Sequence, residues 1–167
     1  MKYITFIRHA KSSWDEQDLT DYERPLKNRG KRDIVLMVEN VIKNIEQPDG
    51  IFVSNAIRAS ETFDLINQDM NYPDTIVFRR DYLYTFDWHE LLTIIRSFDN
   101  NLNDVFVIAH NPALTEVINY LSFEKKLLNL QTTGVCRLKL DADSWKNISK
   151  DCGEILLYHF PKEYRVL

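Results

Sequence analysis

An arginine and a histidine, Arg8 and His9, stand together where the apolar run Tyr3-Ile4-Thr5-Phe6-Ile7 stops, and Ala10 and Lys11 follow them. A guanidinium offers a planar fork of N–H donors that matches phosphate oxygens. A neutral imidazole beside it offers a nitrogen lone pair that can attack phosphorus at neutral pH. Two further clusters carry compatible chemistry. Ser54, Asn55 and Arg58 follow Gly50-Ile51-Phe52-Val53, and His110 with Asn111 follows Val105-Phe106-Val107-Ile108-Ala109. Each cluster alone also has a plain structural reading: solvated charge at a strand end, a solvated helix residue, or a histidine that closes a strand. Together they are a set of cations and imidazoles suited to hold a phosphoryl dianion and to accept it on a histidine.

Whether they meet depends on the elements that carry them. Residues 3–7 read as a first strand. Ile34, Val38, Val41, Ile42 and Ile45 recur at helical spacing and predict an amphipathic helix over 29–45. Residues 50–53 form a short buried strand, and Ser54-Asn55 cap a second helix marked by Ala59, Phe63 and Ile66. Residues 75–78 predict a short strand. Asp87-Trp88-His89-Glu90 has the form of a capping box ahead of Leu91, Leu92, Ile95 and Phe98. The uninterrupted run at 105–109 fits a strand covered on both faces. Asn111 then serves as cap and Pro112 as first residue of a helix bearing Leu114, Val117, Ile118 and Leu121. Strands at 135–140 and 154–160 follow, the first with Cys136, Leu138 and Leu140 alternating with Arg137 and Lys139. This order predicts an α/β three-layer sandwich with a mostly parallel central sheet. In such a sheet the strand carboxyl ends share one edge, where ligands bind. The three clusters would converge there, beside two helix starts whose N–H groups favour an anion.

The bulk properties set the frame. The chain has 167 residues, 44% hydrophobic and 28% charged, with four glycines and five prolines, which fits one domain spanning 1–167. A net charge of −4 offers no global field for nucleic acid or anionic membrane, so any positive charge must be local. Cys136 and Cys152 form neither a disulfide framework nor a zinc spacing. The start is too short for a signal peptide, and no run approaches a membrane span. A soluble, cytoplasmic protein is the expectation.

Arg8-His9, the stretch from Ser54 through Arg58 to Thr62, and Ala109-His110-Asn111 resemble the motifs of the histidine phosphatase (phosphoglycerate mutase-like) superfamily. Its first motif is usually Arg-His-Gly, and Ala10 stands here in place of the glycine. Ser12-Ser13-Trp14 with Asp15, Asp21-Tyr22-Glu23-Arg24-Pro25-Leu26, Arg29-Gly30 and the closing Tyr158-His159-Phe160-Pro161 are similar to one branch, the SixA-type phosphohistidine phosphatases. The resemblance implies a phosphoglycerate mutase-like fold. It implies His9 as the nucleophile, and Arg8, Arg58 and His110 as the clamp that binds substrate phosphate and stabilises its transition-state charge. Ser54 joins the candidate substrate-binding residues. No metal or cofactor is implied, because arginines and a histidine take the metal's role. His89 and His159 are left out of the site, and the four histidines lack the spacing and partners of a zinc site.

The proton donor is less well marked. Many superfamily members use an acid to protonate the leaving oxygen, yet Asp81 to Glu90 carries no clear match to that motif. Glu90 is the candidate, although a helix-capping role explains it equally well. Asp15, Asp18 and Asp21 lie in a loop where carboxylates are common. A weak acid suits phosphohistidine, which leaves as imidazole, better than alkyl esters. The leading expectation is therefore a phosphatase acting on phosphohistidine of a protein partner, the chain being too short for the lid insertions that enclose small metabolites. A phosphomonoesterase for a small phosphorylated molecule is the alternative, with Lys11, Arg24, Lys27 and Arg29 available for specificity. An inert phosphate-binding module is the third reading, set against the presence of all four core residues.

Overall fold

Strand β1 (Lys2–Arg8) lies at the heart of a six-stranded sheet whose order is β3-β2-β4-β1-β5-β6. The computed structural model describes residues 1–124 and 126–166. The chain runs from β1 through α1 (Asn28–Asn40), β2 (Gly50–Ser54), α2 (Ile57–Met70), β3 (Val77–Arg80) and α3 (Trp88–Arg96). It continues through β4 (Asp104–Ala109), α4 (Ala113–Leu121), β5 (Val135–Leu140) and β6 (Gly153–His159). The β1–β4, β4–β2 and β2–β3 pairs are parallel, whereas β5 runs antiparallel to both β1 and β6.

Alternation along the central strands builds the layers. Ile4 and Phe6 of β1, with Val105 and Val107 of β4, face a core made with Leu91, Leu92 and Ile95 of α3 and the apolar stripe of α4. Ile7, Ile51, Val53, Phe106 and Ile108 face the other way, onto Ile34, Met37 and Val38 of α1 and Phe63 and Ile66 of α2. The result is the expected helix–sheet–helix sandwich. Since α1 and α4 cover opposite faces, the crevice between the carboxyl ends of β1 and β4 is a topological switch point. Their register pairs Arg8 with Ala109, so the next residues out, His9 and His110, are neighbours at that crevice.

Several boundaries differ from the pattern-based expectation. The first helix ends at Asn40, whose side-chain amide donates to Leu36 O, and a short 3-10 turn over Ile42–Asn44 carries the rest of the apolar pattern. β3 begins at Val77 because Pro73 opens a 3-10 turn at Asp74–Ile76. Phe98 lies beyond α3 yet is buried, stacked 3.9 Å from Phe52. Asp87 caps α3 through His89 N–H, but Glu90 does not complete the box, because it accepts from Thr85 Oγ1 at 2.5 Å. The helix after β4 starts at Ala113, one residue later than expected, behind a cis Asn111-Pro112 peptide. α2 is capped by Ala56 without a side-chain bond, and Ser54 turns elsewhere.

Candidate active site

His9 is held by its own turn. Nδ1 lies 2.8 Å from Ala10 O, and a carbonyl accepts only, so Nδ1 carries the proton. Nε2 is thereby left with its lone pair, and Arg58 Nε–H points at it from 3.3 Å. Burial, then the neighbouring His110, pushes the His9 pKa well below the ordinary histidine value. The ring is neutral and oriented, with its basic nitrogen turned to Arg58. Ala10, fully buried, takes part by its backbone: its N–H donates to Thr62 Oγ1, which in turn donates to Arg58 O. Thr62 thus ties α2 to the turn that carries His9.

Arg8, Arg58 and His9 line one cavity of about 240 Å³, with Lys11, Arg24 and Asp21 among its other walls. Arg8 donates through Nη1 to Leu130 O and keeps a buried Nε without a partner. Arg58 is almost wholly buried. Its Nη1 donates to Asp21 O at 2.6 Å and its Nη2 to Asp21 Oδ2 at 2.9 Å, leaving Nε for His9. Asp21 is the hub of this wall. It also accepts from Tyr84 O–H at 2.6 Å and from Arg24 Nη1 at 2.8 Å. The hydrogen bonds from Tyr84, Arg58 and Arg24 overcome the cost of burial and lower its pKa from an ordinary 3.8 to about 2. Asp21 is therefore a fixed anion rather than a proton source near neutrality.

His110 lies beside His9, with ring centroids 5.3 Å apart, but it is fully buried and does not line the open cavity. Tyr84 and Phe86 pack edge-on against it. Ser54 Oγ sits 2.8 Å from His110 Nε2 and accepts from Ala56 N–H. Ser54, fully buried, thus orients His110 instead of facing the cavity. His110 Nδ1 has no partner. Burial, then Arg58, lowers the His110 pKa to about 3, so the ring is neutral. In the tautomer where Ser54 O–H donates to Nε2, the proton sits on Nδ1 and is an unused donor beside His9.

Other expectations are redistributed. Glu90 is exposed and lines a neighbouring cavity of about 560 Å³ with Tyr82, Tyr84 and Ile94, not the one that holds His9. At the start of α4, three amides are already engaged within the turn. Leu114 N–H goes to His110 O, Thr115 N–H to Asn111 Oδ1 and Glu116 N–H to Pro112 O. His89 and His159 pair with Asp87 and Glu163, away from the cavity. Among the described residues, no three His, Cys, Asp or Glu side chains gather as a metal site.

The loop between β1 and α1 supplies what residue types alone did not reveal. Ser12 and Leu26 form an antiparallel bridge, and Ser13 N–H donates to Pro25 O, so the loop folds back as a narrow arm. Arg24 spends its donors inside that arm, on Ser13 O, Ser12 Oγ and Asp21, and stacks under Trp14 at 3.2 Å. Gly30 allows the arm to close. A Cβ there would come within 2.4 Å of Lys11 O. The spacing of Asp21 and Arg24 in a Arg-Pro-Leu context was the available signal for this wall.

No protein-family model matches the chain. Its fold superposes on that of the protein histidine phosphatase SixA complexed with tungstate, with a TM-score of 0.81 at 19% identity, over 98% of this chain and 99% of that one. A mycobacterial glucosyl-3-phosphoglycerate phosphatase complexed with VO3 shares the fold less fully, with a TM-score of 0.67 at 12% identity, over 94% and 98% of the two chains. In sequence, an uncharacterized protein of Mycobacterium tuberculosis is 26% identical over 165 residues, covering 93% of this chain and 100% of its own length. An uncharacterized chloroplastic protein of Arabidopsis thaliana is 24% identical over 151 residues, 86% of this chain and 68% of its own. The architecture is thus the phosphoglycerate mutase-like fold of the histidine phosphatases, as the motifs implied.

Proposed function

We propose that this protein is a phosphatase that carries the phosphoryl group on His9, and that its preferred substrate is phosphohistidine on a protein. The observation that carries this reading is the state of His9: neutral, with Nδ1–H on Ala10 O, Nε2 unprotonated, and Arg58 aimed at that nitrogen inside a cationic cavity. In the first step the Nε2 lone pair forms a bond to phosphorus while the bond from phosphorus to the leaving nitrogen breaks. The leaving ring departs as neutral imidazole when its distal nitrogen carries a proton. Arg8 and Arg58 hold the equatorial oxygens, and His110 Nδ1–H adds a donor once the phosphoryl group seats. In the second step water attacks phosphorus, the pair returns to Nε2, and dihydrogen phosphate leaves. Retaining Nδ1–H keeps phospho-His9 in its cationic ring form, the better leaving group.

Two features support a protein substrate. Trp14, Tyr82 and Phe86 are exposed aromatic side chains near the catalytic crevice, and Trp14 and Phe86 line the cavity itself. The only carboxylate in the cavity wall, among the described residues, is the ionised Asp21, so an alkoxide leaving group would find no ready acid there. The shared fold of a glucosyl-3-phosphoglycerate phosphatase keeps a small phosphomonoester as the second reading. The test is a rapid, acid-free quench during turnover. A labelled adduct stable to alkali and lost in acid, absent from His9→Ala, is the expected result. Full activity of His9→Ala would sink the mechanism. A panel of phosphohistidine protein, aryl phosphate and sugar phosphate ranks the two readings.

A further inference from the structure

A second cavity, of about 410 Å³, adjoins the first, and Thr132 lines both. Its walls carry three cations, Arg29, Lys162 and Arg165, together with Gln131. Arg165 is already compensated: it donates twice to the buried Asp33, at 3.1 and 2.7 Å. Arg29 and Lys162 make no ion pair among the described residues. Glu163, next in sequence to Lys162, is occupied by His159 and by Phe160 N–H. Two uncompensated cations therefore face one concavity in a chain whose net charge is −4. Such a local excess focuses an anion against the global field.

The partition between the cavities is rigidly placed. Gly134 N–H closes the turn onto Gln131 O at 2.8 Å. Thr133, buried and β-branched, sits at φ 57°, a conformation such residues rarely adopt. Its N–H is shared between Arg8 O and His9 O, at 3.0 and 3.2 Å. The same hydrogen bonds that hold the nucleophile's backbone thus fix Thr132 between the two concavities. A group in the second cavity is held at a set separation from phosphorus at His9.

We infer that the Arg29–Lys162 cavity is a second anion site, which takes a phosphate or carboxylate group carried by the same substrate whose phosphoryl group enters the His9 cavity. This deepens the proposed function and rests on its placement of the phosphoryl group. The anion would come from a doubly charged small molecule, or from an acidic side chain beside the phosphorylated residue of a protein.

Phosphonates test it without turnover. The wild-type protein is titrated calorimetrically with methylphosphonate and with α,ω-alkylene bisphosphonates of graded length. At one length the bisphosphonate should bind about tenfold tighter or more, the scale of a charge-assisted phosphate contact. Arg29→Ala/Lys162→Ala should return it to the methylphosphonate level and leave methylphosphonate binding unchanged. Arg29→Gln/Lys162→Gln, which keeps side-chain bulk, should do the same. Equal affinity at every length, or equal loss for both probes, overturns the inference. A second arm compares peptides carrying a phosphonate analogue of phosphohistidine flanked by glutamate or by glutamine. Preference for glutamate, lost in the double variants, assigns the anion to a protein surface, and no preference assigns it to a small molecule. Failure of the His9 labelling experiment would sink the activity and leave two-site binding standing.

Discussion

Asp21→Asn probes the part of the site that the motifs do not describe. The substitution keeps shape and removes one charge. Arg58 then keeps Asp21 O and His9 Nε2 as partners but loses the carboxylate that fixes Nη2, and Tyr84 loses its acceptor's charge. The depression of the Asp21 pKa from 3.8 to about 2 sets an upper bound on the stability at stake. At 1.36 kcal/mol per pH unit, the difference of about 1.8 is worth about 2.4 kcal/mol. The Asp21 side chain is 38% exposed, so solvent screening reduces this to about 1 kcal/mol. A carboxylate with a depressed folded-state pKa stabilises above its unfolded value and loses that contribution as pH falls through the folded value. The variant should therefore be less stable by about 1 kcal/mol at pH 7, and the gap should close between pH 3.8 and about 2.

The catalytic effect follows from position, not charge. Freed on one side, Arg58 no longer presents Nε to the reacting centre at a fixed angle, and turnover should fall by about 10–10². Removing a negative charge from the wall should leave KM for an aryl phosphate unchanged or lower. Urea midpoints across pH read the first effect, and steady-state kinetics read the second. A stability gap that persists unchanged to pH 2 would show that the carboxylate's charge is not what matters. Normal turnover would show that Arg58 needs no brace.

Arg58→Ala should cost about 10²–10³ in turnover, the loss that follows removal of one transition-state donor. Gly30→Ala drives a methyl into Lys11 O, so its melting temperature should drop and turnover should fall with it, because the arm carrying Asp21 is displaced. His110, neutral and buried with a pKa near 3, should make stability fall as pH drops from about 6.5 towards 3, by roughly 3–5 kcal/mol. Denaturation midpoints of wild type and His110→Gln over that range check the sign. Glu90→Gln should change phosphohistidine turnover by less than about tenfold, since general-acid help worth ~10²–10⁴ is not drawn from that position. Alkyl phosphates hydrolysed as fast as aryl ones, with Glu90→Gln removing that activity selectively, would contradict this.

The layers were legible because alternation is a two-state signal. Ile4 and Phe6 against Ile7, or Val105 and Val107 against Phe106 and Ile108, can satisfy burial on both faces only in a covered strand. Boundaries were less legible because they depend on single side-chain choices. Asn40 folds back on its own helix, Thr85 takes Glu90 out of the capping box, and Pro73 trades a strand start for a turn. None of these alters the periodicity that a sequence shows.

The site divides in the same way. His9, Arg8 and Arg58 could be read because strand ends on one sheet edge must converge, and the register of β1 with β4 enforces it. His110 converges too, but its partner Ser54 and its cover of Tyr84 and Phe86 keep it behind the open wall of the cavity. Asp21 was hidden because its role is set by a loop that doubles back. Only when Ser12 meets Leu26 and Gly30 admits Lys11 does a loop carboxylate come to face Arg58. Asp15 and Asp18 stand in the same loop and are exposed, so composition could not single out the one that counts. Which loop carboxylate meets Arg58 is thus a property of the arm's closure, where the bare Gly30 backbone lies against Lys11 O.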